Sequence, residues 1–174
     1  MKHTHQASSA AADHQTAQYL TFMLGGESFG IGIMAVKEII EFSGLTEVPM
    51  MPDSIRGVIN LRGAVVPVMD LAARFGRPQS VAGKRTCIVI VELASDGERQ
   101  LTGVVVDAVS AVLDIPAPDI EPAPSFGTRI RGDFIGGMGK VNGKFVILLN
   151  VDEVLALDGM PDVAGANADV ALAS

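Results

Sequence analysis

The tightest constraint on this chain is that one of its stretches occurs twice. Ile55 to Leu71 reads IRGVINLRGAVVPVMDL, and Ile135 to Val151 reads IGGMGKVNGKFVILLNV. At an offset of 80 residues, Gly57 aligns with Gly137, Leu61 with Val141, Gly63 with Gly143, Val66 with Val146 and Asp70 with Asn150. Each copy has two strand-like runs bounded by glycines, with a glycine-bearing dipeptide between them, which reads as a hairpin. Asp70 then stands where a short helix over Leu71 to Phe75 would begin. Asn150 with Glu153 three residues later resembles a capping box. The turn dipeptides differ. Asn142-Gly143 suits a two-residue loop, because both central positions need positive φ. Arg62-Gly63 puts a long cation at the first of those positions. Two readings fit Arg62: a solvated arginine on a loose type I turn, or a tip that touches another molecule.

A second echo lies upstream. Gly30 to Glu41 (GIGIMAVKEIIE) matches Gly103 to Asp114 (GVVVDAVSAVLD) at an offset of 73 residues. Each follows a further strand-like run, Tyr19 to Leu24 or Cys87 to Leu93, and each precedes a proline-containing loop. The core therefore reads as a tandem duplication of about 75 residues per unit. Gln18 to Leu24 and Ser28 to Ile33 alternate around Gly25-Gly26-Glu27, the pattern of a hairpin. Ala35 to Ile40 puts Val36, Ile39 and Ile40 at helical spacing, which predicts one short helical turn. About five short strands per unit predict a small antiparallel barrel. The expected architecture is all-β: two tandem barrels over residues 18–80 and 84–157, joined through Arg74 to Gly83. Barrels of this size bury little area alone, so the two are expected to pack together and leave a groove between them. Residues 1–17 and 158–174 read as flexible tails.

Composition narrows the function. The chain has 174 residues, 48% of them hydrophobic, with 5% aromatic and no Trp, so Val, Ile, Leu and Met must fill the core. A net charge of −7 argues against nucleic acid, whose binding rests on cationic neutralisation of phosphates. It argues equally against an anionic membrane surface. A single cysteine, Cys87, excludes an internal disulfide and fits a reducing compartment. The N-terminal sequence lacks the apolar segment of a signal peptide, and no run of 18 apolar residues predicts a spanning helix.

Catalytic signatures do not survive inspection. Gly26-Glu27-Ser28-Phe29-Gly30 spells a nucleophile elbow, but both flanks read as strands. His3, His5 and His14 all precede Ser28 in the chain. Gly136-Gly137-Met138-Gly139-Lys140 lacks the Ser or Thr and the long helix of a phosphate-binding loop. Arg131-Gly132-Asp133 reads as a chance tripeptide, and His3-x-His5 as part of a solvated tail. Cys87 opens a strand with no nearby His and reads as packing. No enzyme, cofactor or metal site is expected. Val36, Ile39, Val109 and Val112 sit beside charged or small positions and read either as core or as a binding surface.

The residues resemble a known family. Tyr19-Leu20-Thr21-Phe22, Phe29-Gly30-Ile31-x-Ile33, Val36-x-Glu38-Ile39, Ile55-x-Gly57-Val58-x-Asn60-Leu61-Arg62-Gly63, Val66-Pro67-Val68-x-Asp70-Leu71 and Gly103-x-x-Val106-Asp107-x-Val109 look like the CheW family of bacterial chemotaxis coupling proteins. The likeness runs from about Gln18 to Leu157, and the NLRG…VPV-x-DL block is its most specific part. Related domains end the histidine kinase CheA and begin the CheV proteins. This chain carries neither a kinase nor a receiver domain, which points to a stand-alone coupler. The resemblance implies two five-stranded SH3-like barrels with short helices around a shared hydrophobic core. It implies a non-enzymatic cytoplasmic scaffold, recruited to receptor arrays at the inner face of the membrane. One surface would bind the cytoplasmic tip of a methyl-accepting receptor, and another the regulatory domain of a CheA-type kinase. Matched positions place receptor binding at Val36, Glu38, Arg62, Cys87 and Val112, although the family more often has Val where Cys87 stands. Kinase binding maps to Ile39 and Gly57. Two other readings of the residues are a small-molecule-binding double barrel and an esterase.

Overall fold

The computed structural model describes residues 16–78, 81–95, 97–122 and 134–156. The tails expected at either end, the three histidines and Arg131-Gly132-Asp133 lie outside these residues, apart from positions 16 and 17. The described chain is almost all strand. β1 (Ala17–Leu24), β2 (Glu27–Gly32), β3 (Val36–Glu41), β4 (Ile55–Leu61) and β5 (Ala64–Asp70) lead into a one-turn helix α1 (Leu71–Arg74). β6 (Cys87–Ser95), β7 (Glu98–Val106), β8 (Ala108–Ile115), β9 (Ile120–Glu121), β10 (Ile135–Val141) and β11 (Lys144–Leu149) lead into the equivalent helix α2 (Val151–Val154). Asp70 Oδ1 accepts the Ala73 N–H at 3.1 Å, and Asn150 Oδ1 accepts the Glu153 N–H at 3.4 Å. Each side chain thus satisfies an orphan donor at its helix start.

The strands form two sheets, and neither sheet belongs to one repeat. One sheet has the order β8-β1-β2-β11-β10-β9, and the other β3-β6-β7-β5-β4. The β1–β2 hairpin joins the late strands, and the β6–β7 hairpin joins the early ones. This corrects the division into barrels at 18–80 and 84–157: the repeats are sequential, but their leading hairpins are exchanged. The exchange obeys the same register in both places. β11 runs parallel to β2 with Leu148 opposite Gly30, and β5 runs parallel to β7 with Val68 opposite Gly103. The five-stranded expectation describes one sheet, and the two-residue β9 adds a sixth strand to the other. Thr46 takes β9's place in the five-stranded sheet. Its N–H and carbonyl pair with Val58 at 2.9 and 2.8 Å. Because Thr46 follows β3 closely, this bridge ties the β3 edge of the sheet to the β4 edge and curls the sheet round.

The helical turn expected over Ala35 to Ile40 is also corrected. A 3-10 turn covers Ile33–Ala35, and Val36–Glu41 is strand β3, paired antiparallel with β6. A bulge between Val36 and Glu38 breaks the strand alternation. Ile39 is exposed rather than core, so the apparent helical period mixes one surface residue with two inward ones.

The apolar residues fill three clusters. Ile59, Val66, Val68, Ile88, Ile90 and Val105 lie inside the five-stranded sheet. Ile115, Val146 and Leu148 lie inside the six-stranded one. The largest cluster joins the two sheets and includes Leu20, Phe22, Phe29, Met69, Val89, Val91, Val104 and Val106. β6 therefore alternates between two cores, Ile88 and Ile90 inward, Val89 and Val91 towards the other sheet. A strand covered on both faces reads as a continuous apolar run. Four rings bind the inter-sheet core, with Phe22–Phe29, Phe29–Phe75 and Phe75–Phe134 centroids 6.0, 5.5 and 6.2 Å apart. The space between the sheets is thus packed core, and a groove can exist only at its rim.

Gly57 and Gly137 mark the same place in the two repeats. Each ends a bulge, after Ile55 or Ile135. A Cβ on Gly57 would collide with the Thr46 carbonyl, and one on Gly137 would come 2.7 Å from Ile120 Cγ2. Gly57 is buried under the Thr46–Glu47 backbone and offers no side chain to a partner. Gly57→Ala is therefore expected to cost about 1–3 kcal/mol, as overpacking does. Each kcal/mol lowers Tm by about 2–4 °C in a chain of this size. Gly137→Ala meets a side chain that can shift and should cost less. Thermal melts by circular dichroism check both, and an unchanged melt for Gly57→Ala would show that the Thr46 segment moves aside freely.

Candidate functional site

The β4–β5 and β10–β11 turns have one backbone geometry. Arg62 and Gly63 have φ of 52° and 88°, and Asn142 and Gly143 have 51° and 79°. Both are tight turns with positive φ at both centres, not the loose type I turn considered for Arg62. The turn aims Arg62 at β3. Its Nη1 donates to Glu38 Oε2 at 2.6 Å and its Nη2 to Glu38 Oε1 at 2.9 Å. This fork-to-fork pair fixes the plane of the guanidinium as well as its position. It spans the two edges of the five-stranded sheet, since β3 and β4 are the terminal strands. The Arg62 side chain remains 74% exposed, while that of Glu38 is 26% exposed. The hydrogen bond from Arg62 holds the Glu38 carboxyl below its ordinary range, against a smaller opposing effect of desolvation. The same bond raises Arg62.

The other expected site residues are arranged around this pair unevenly. Ile39 follows Glu38 on the same strand and is 42% exposed. Val36 and Cys87 sit at opposite ends of the β3·β6 ladder, Val36 opposite Val91 and Cys87 opposite Glu41. Both are half-buried and pack against the inter-sheet core. The Cys87 Sγ donates to the Arg85 carbonyl at 3.3 Å. Val112 lies on β8 of the other sheet, opposite Leu20, and is 48% exposed. It occupies the position in its repeat that Ile39 holds in the first, the offset of 73 residues again. Of the four apolar residues weighed from the sequence, Val36 and Val109 pack on the core and Ile39 and Val112 face out. The structure therefore joins Glu38 and Arg62 directly, places Ile39 beside Glu38 on β3 with its side chain on the opposite face, sets Val36 and Cys87 on the rim of the inter-sheet core, and leaves Val112 on a separate edge.

An ion pair that sequence reading missed lies behind the same hairpin. Arg56 Nη1 donates to Asp70 Oδ2 at 2.8 Å, and Asp70 is fully buried. The Arg56 guanidinium also stands 5.1 Å over the Phe42 ring. Asp70 is legible in the sequence as a helix cap; its second oxygen and Arg56 carry no local signal. The candidate catalytic motifs become ordinary structure. Ser28 lies in β2 and donates to Met23 Sδ at 3.3 Å, with strands on both sides. Gly136 to Lys140 lie within β10. Among the described residues, no group of three or more His, Cys, Asp or Glu could hold a metal ion, and no helix is long and apolar enough to cross a membrane.

Two β-sheets packed on one shared apolar core, with an exposed bidentate ion pair at one edge, define an all-β domain class. The comparisons identify which one. The CheW-like domain family matches residues 18–158. The chain is 36% identical over 153 residues to chemotaxis protein CheW of Klebsiella aerogenes, covering 88% of this chain and 90% of that one. It is 34% identical over 147 residues to chemotaxis protein CheW of Rhizobium meliloti, covering 83% and 92%. The crystal structure of the scaffolding protein TtCheW from Thermoanaerobacter tengcongensis superposes with a TM-score of 0.73 at 35% identity, covering 82% of this chain and 90% of that chain. The chain belongs to the CheW-like family, as a chemotaxis adaptor built on two β-sheets.

The depressed Glu38 carboxyl gives a pH prediction with a definite sign. A carboxyl whose folded pKa lies below its unfolded one contributes stability above the unfolded value and loses it as pH falls through the folded value. The Arg62–Glu38 pair should thus be intact at neutral pH and open in acid, below the ordinary carboxylate range. In a carboxyl-carbon NMR titration, Glu38 should titrate below ordinary glutamate in the native chain and return towards it in Arg62→Ala. Identical titrations would show that the pair does not persist in solution.

Proposed function

We propose that this chain couples methyl-accepting chemotaxis receptors to a CheA-type histidine kinase, as a non-enzymatic cytoplasmic scaffold within receptor arrays. The observation that carries the reading is the Arg62–Glu38 pair, held open to solvent at the closed seam of the five-stranded sheet. A receptor tip made of helices offers backbone carbonyls and carboxylates beside apolar side chains. A fixed guanidinium suits the first two, and exposed Ile39 with the rim residues Val36 and Cys87 suits the third. A thiol at position 87, where the family more often has Val, keeps the contact apolar and slightly smaller. Val112 extends the receptor surface onto the second sheet. The kinase surface lies on the five-stranded sheet around Ile39, with Gly57 acting by letting the Thr46–Glu47 segment close down.

The two turns provide a matched test. Arg62→Ala is expected to weaken binding of a receptor cytoplasmic fragment about tenfold, the scale of losing one interface anchor. Its stability should change little, because Ala and Arg strain a positive-φ position alike. Asn142→Ala should do the opposite, costing about 1 kcal/mol in the turn, or about 2–4 °C in Tm, with unchanged affinity. Titration calorimetry beside melting curves separates these outcomes, and native affinity in Arg62→Ala removes Arg62 from the receptor surface.

A further inference from the structure

The two turns solve one backbone problem with different residues. In the second repeat the turn is Lys140-Val141-Asn142-Gly143, and Asn142 itself occupies the first positive-φ position. Asparagine tolerates that conformation better than other residues with a side chain. In the first repeat the segment is Asn60-Leu61-Arg62-Gly63, and arginine has no such tolerance. The asparagine stands two positions earlier instead. The Asn60 Oδ1 accepts the Gly63 N–H at 2.9 Å, closing a ring around the turn from outside. Lys140, the equivalent residue, has only donors and cannot make this bond. The registers are the same, Asn60 opposite Val65 and Lys140 opposite Phe145, so the difference lies in side chains alone.

We infer that Asn60 is a positioning residue for the partner-binding site: its carboxamide holds the turn in the form that carries Arg62 to Glu38. Moving the turn-stabilising asparagine from the turn to its shoulder frees the tip for a cation without losing the tip's geometry. Positive φ at Arg62 sets the direction of its Cα–Cβ bond. A relaxed turn with negative φ there would send the side chain elsewhere and leave Glu38 without its two N–H donors. Side chains of Asn that accept backbone N–H groups two or three residues on are a recurrent way of fixing such turns. The consequence for binding rests on the reading of Arg62 as a receptor contact; the positioning role does not.

The test uses the full chain with Asn60→Ala and Asn60→Ala/Arg62→Asn. In Asn60→Ala the Glu38 carboxyl is expected to move up towards ordinary glutamate in the NMR titration, although Arg62 is still present. Affinity for a receptor cytoplasmic fragment should fall by the same factor as in Arg62→Ala. A Glu38 titration that stays at its native position in Asn60→Ala overturns the proposal. If Glu38 moves but both Asn60→Ala and Arg62→Ala bind like the native chain, Asn60 does position Arg62 and the receptor reading fails instead. Melting of the double variant guards against a folding artefact. Asn at position 62 needs no outside support, so the double variant should melt above Asn60→Ala alone. If the single variant fails to fold and the double one folds, the cap serves Arg62 as proposed. If both fail, Asn60 serves the fold independently of Arg62, and the proposal is wrong.

Discussion

Everything in this fold depends on the exchange of hairpins between the repeats. β1 and β2 complete the sheet of β8 to β11, and β6 and β7 complete the sheet of β3 to β5. Parallel contacts, β2 on β11 and β5 on β7, seal the exchange. A repeat taken alone would leave β6-like strands, apolar on both faces, with one face in water. Together the two repeats bury both faces, and the Phe22–Phe29–Phe75–Phe134 stack fills the space between the sheets. Arg74 adds a link from α1 to α2. Its Nε donates to the Val154 carbonyl at 2.8 Å, and its Nη2 to that of Ala156 at 3.1 Å. These are carbonyls that a short helix leaves unpaired at its end. The exchange also fixes the site, because β3 pairs with β6 of the other repeat and so carries Glu38 on a strand that cannot shift by itself.

With the scaffold duplicated, the candidate site is visible as the difference between copies. Backbone features recur: the bulge before Gly57 and Gly137, the positive-φ turns, the helix caps at Asp70 and Asn150. Side chains diverge at the rim of one copy. Glu38 has Ala111 as its counterpart, Arg62 has Asn142, and Asn60 has Lys140. Three coordinated departures at one end of one sheet are hard to assign to folding, since the other copy folds without them. Ile39 and Val112 are the opposite case: the same exposed position stays apolar in both copies. Repetition there marks a property of the frame, two edge strands of matching character, onto which only the first copy adds charge.

How much of this was legible in the sequence follows from the range of each interaction. The repeats, the hairpin turns and both helix caps were legible, because glycine, asparagine and aspartate act on backbone within three residues of themselves. The pairing of hairpins was not. Alternating apolar residues specify that a strand has two covered faces, but not which neighbour covers them, and exchanged and unexchanged barrels have the same pattern. β3 read as a helical turn because the bulge at Lys37 and the exposed Ile39 disturbed its period of two. Gly57 reads in the sequence as a close backbone approach, and the Thr46 carbonyl is what approaches; glycine reports close approach without saying what approaches. Arg62 stands out in the sequence by its poor fit to a turn, and the structure puts it at positive φ. Its pairing with Glu38, 24 residues away, could be suspected only from the family resemblance that placed both on one surface.

The ion pair also leaves part of the guanidinium available. A guanidinium has five N–H donors, and Glu38 uses one on each terminal nitrogen. The remaining donors have no partner among the described residues, and the side chain is largely in solvent. Arg62 can therefore bind an acceptor on a partner without giving up Glu38. An arginine free to move would lose rotamer entropy on binding, and that loss weakens surface contacts in general. Here Glu38 has already ordered the side chain, at a cost met when the chain folds. If Arg62 is the partner contact proposed above, the partner meets a cation whose plane is set, and a single oxygen presented in that plane gains a directed hydrogen bond. A partner with a like-placed cation is repelled by the same fixed charge. The carboxylate that looks like a competitor for Arg62 thus acts as its mount, and removing Glu38 would free the guanidinium while weakening what it can recognise.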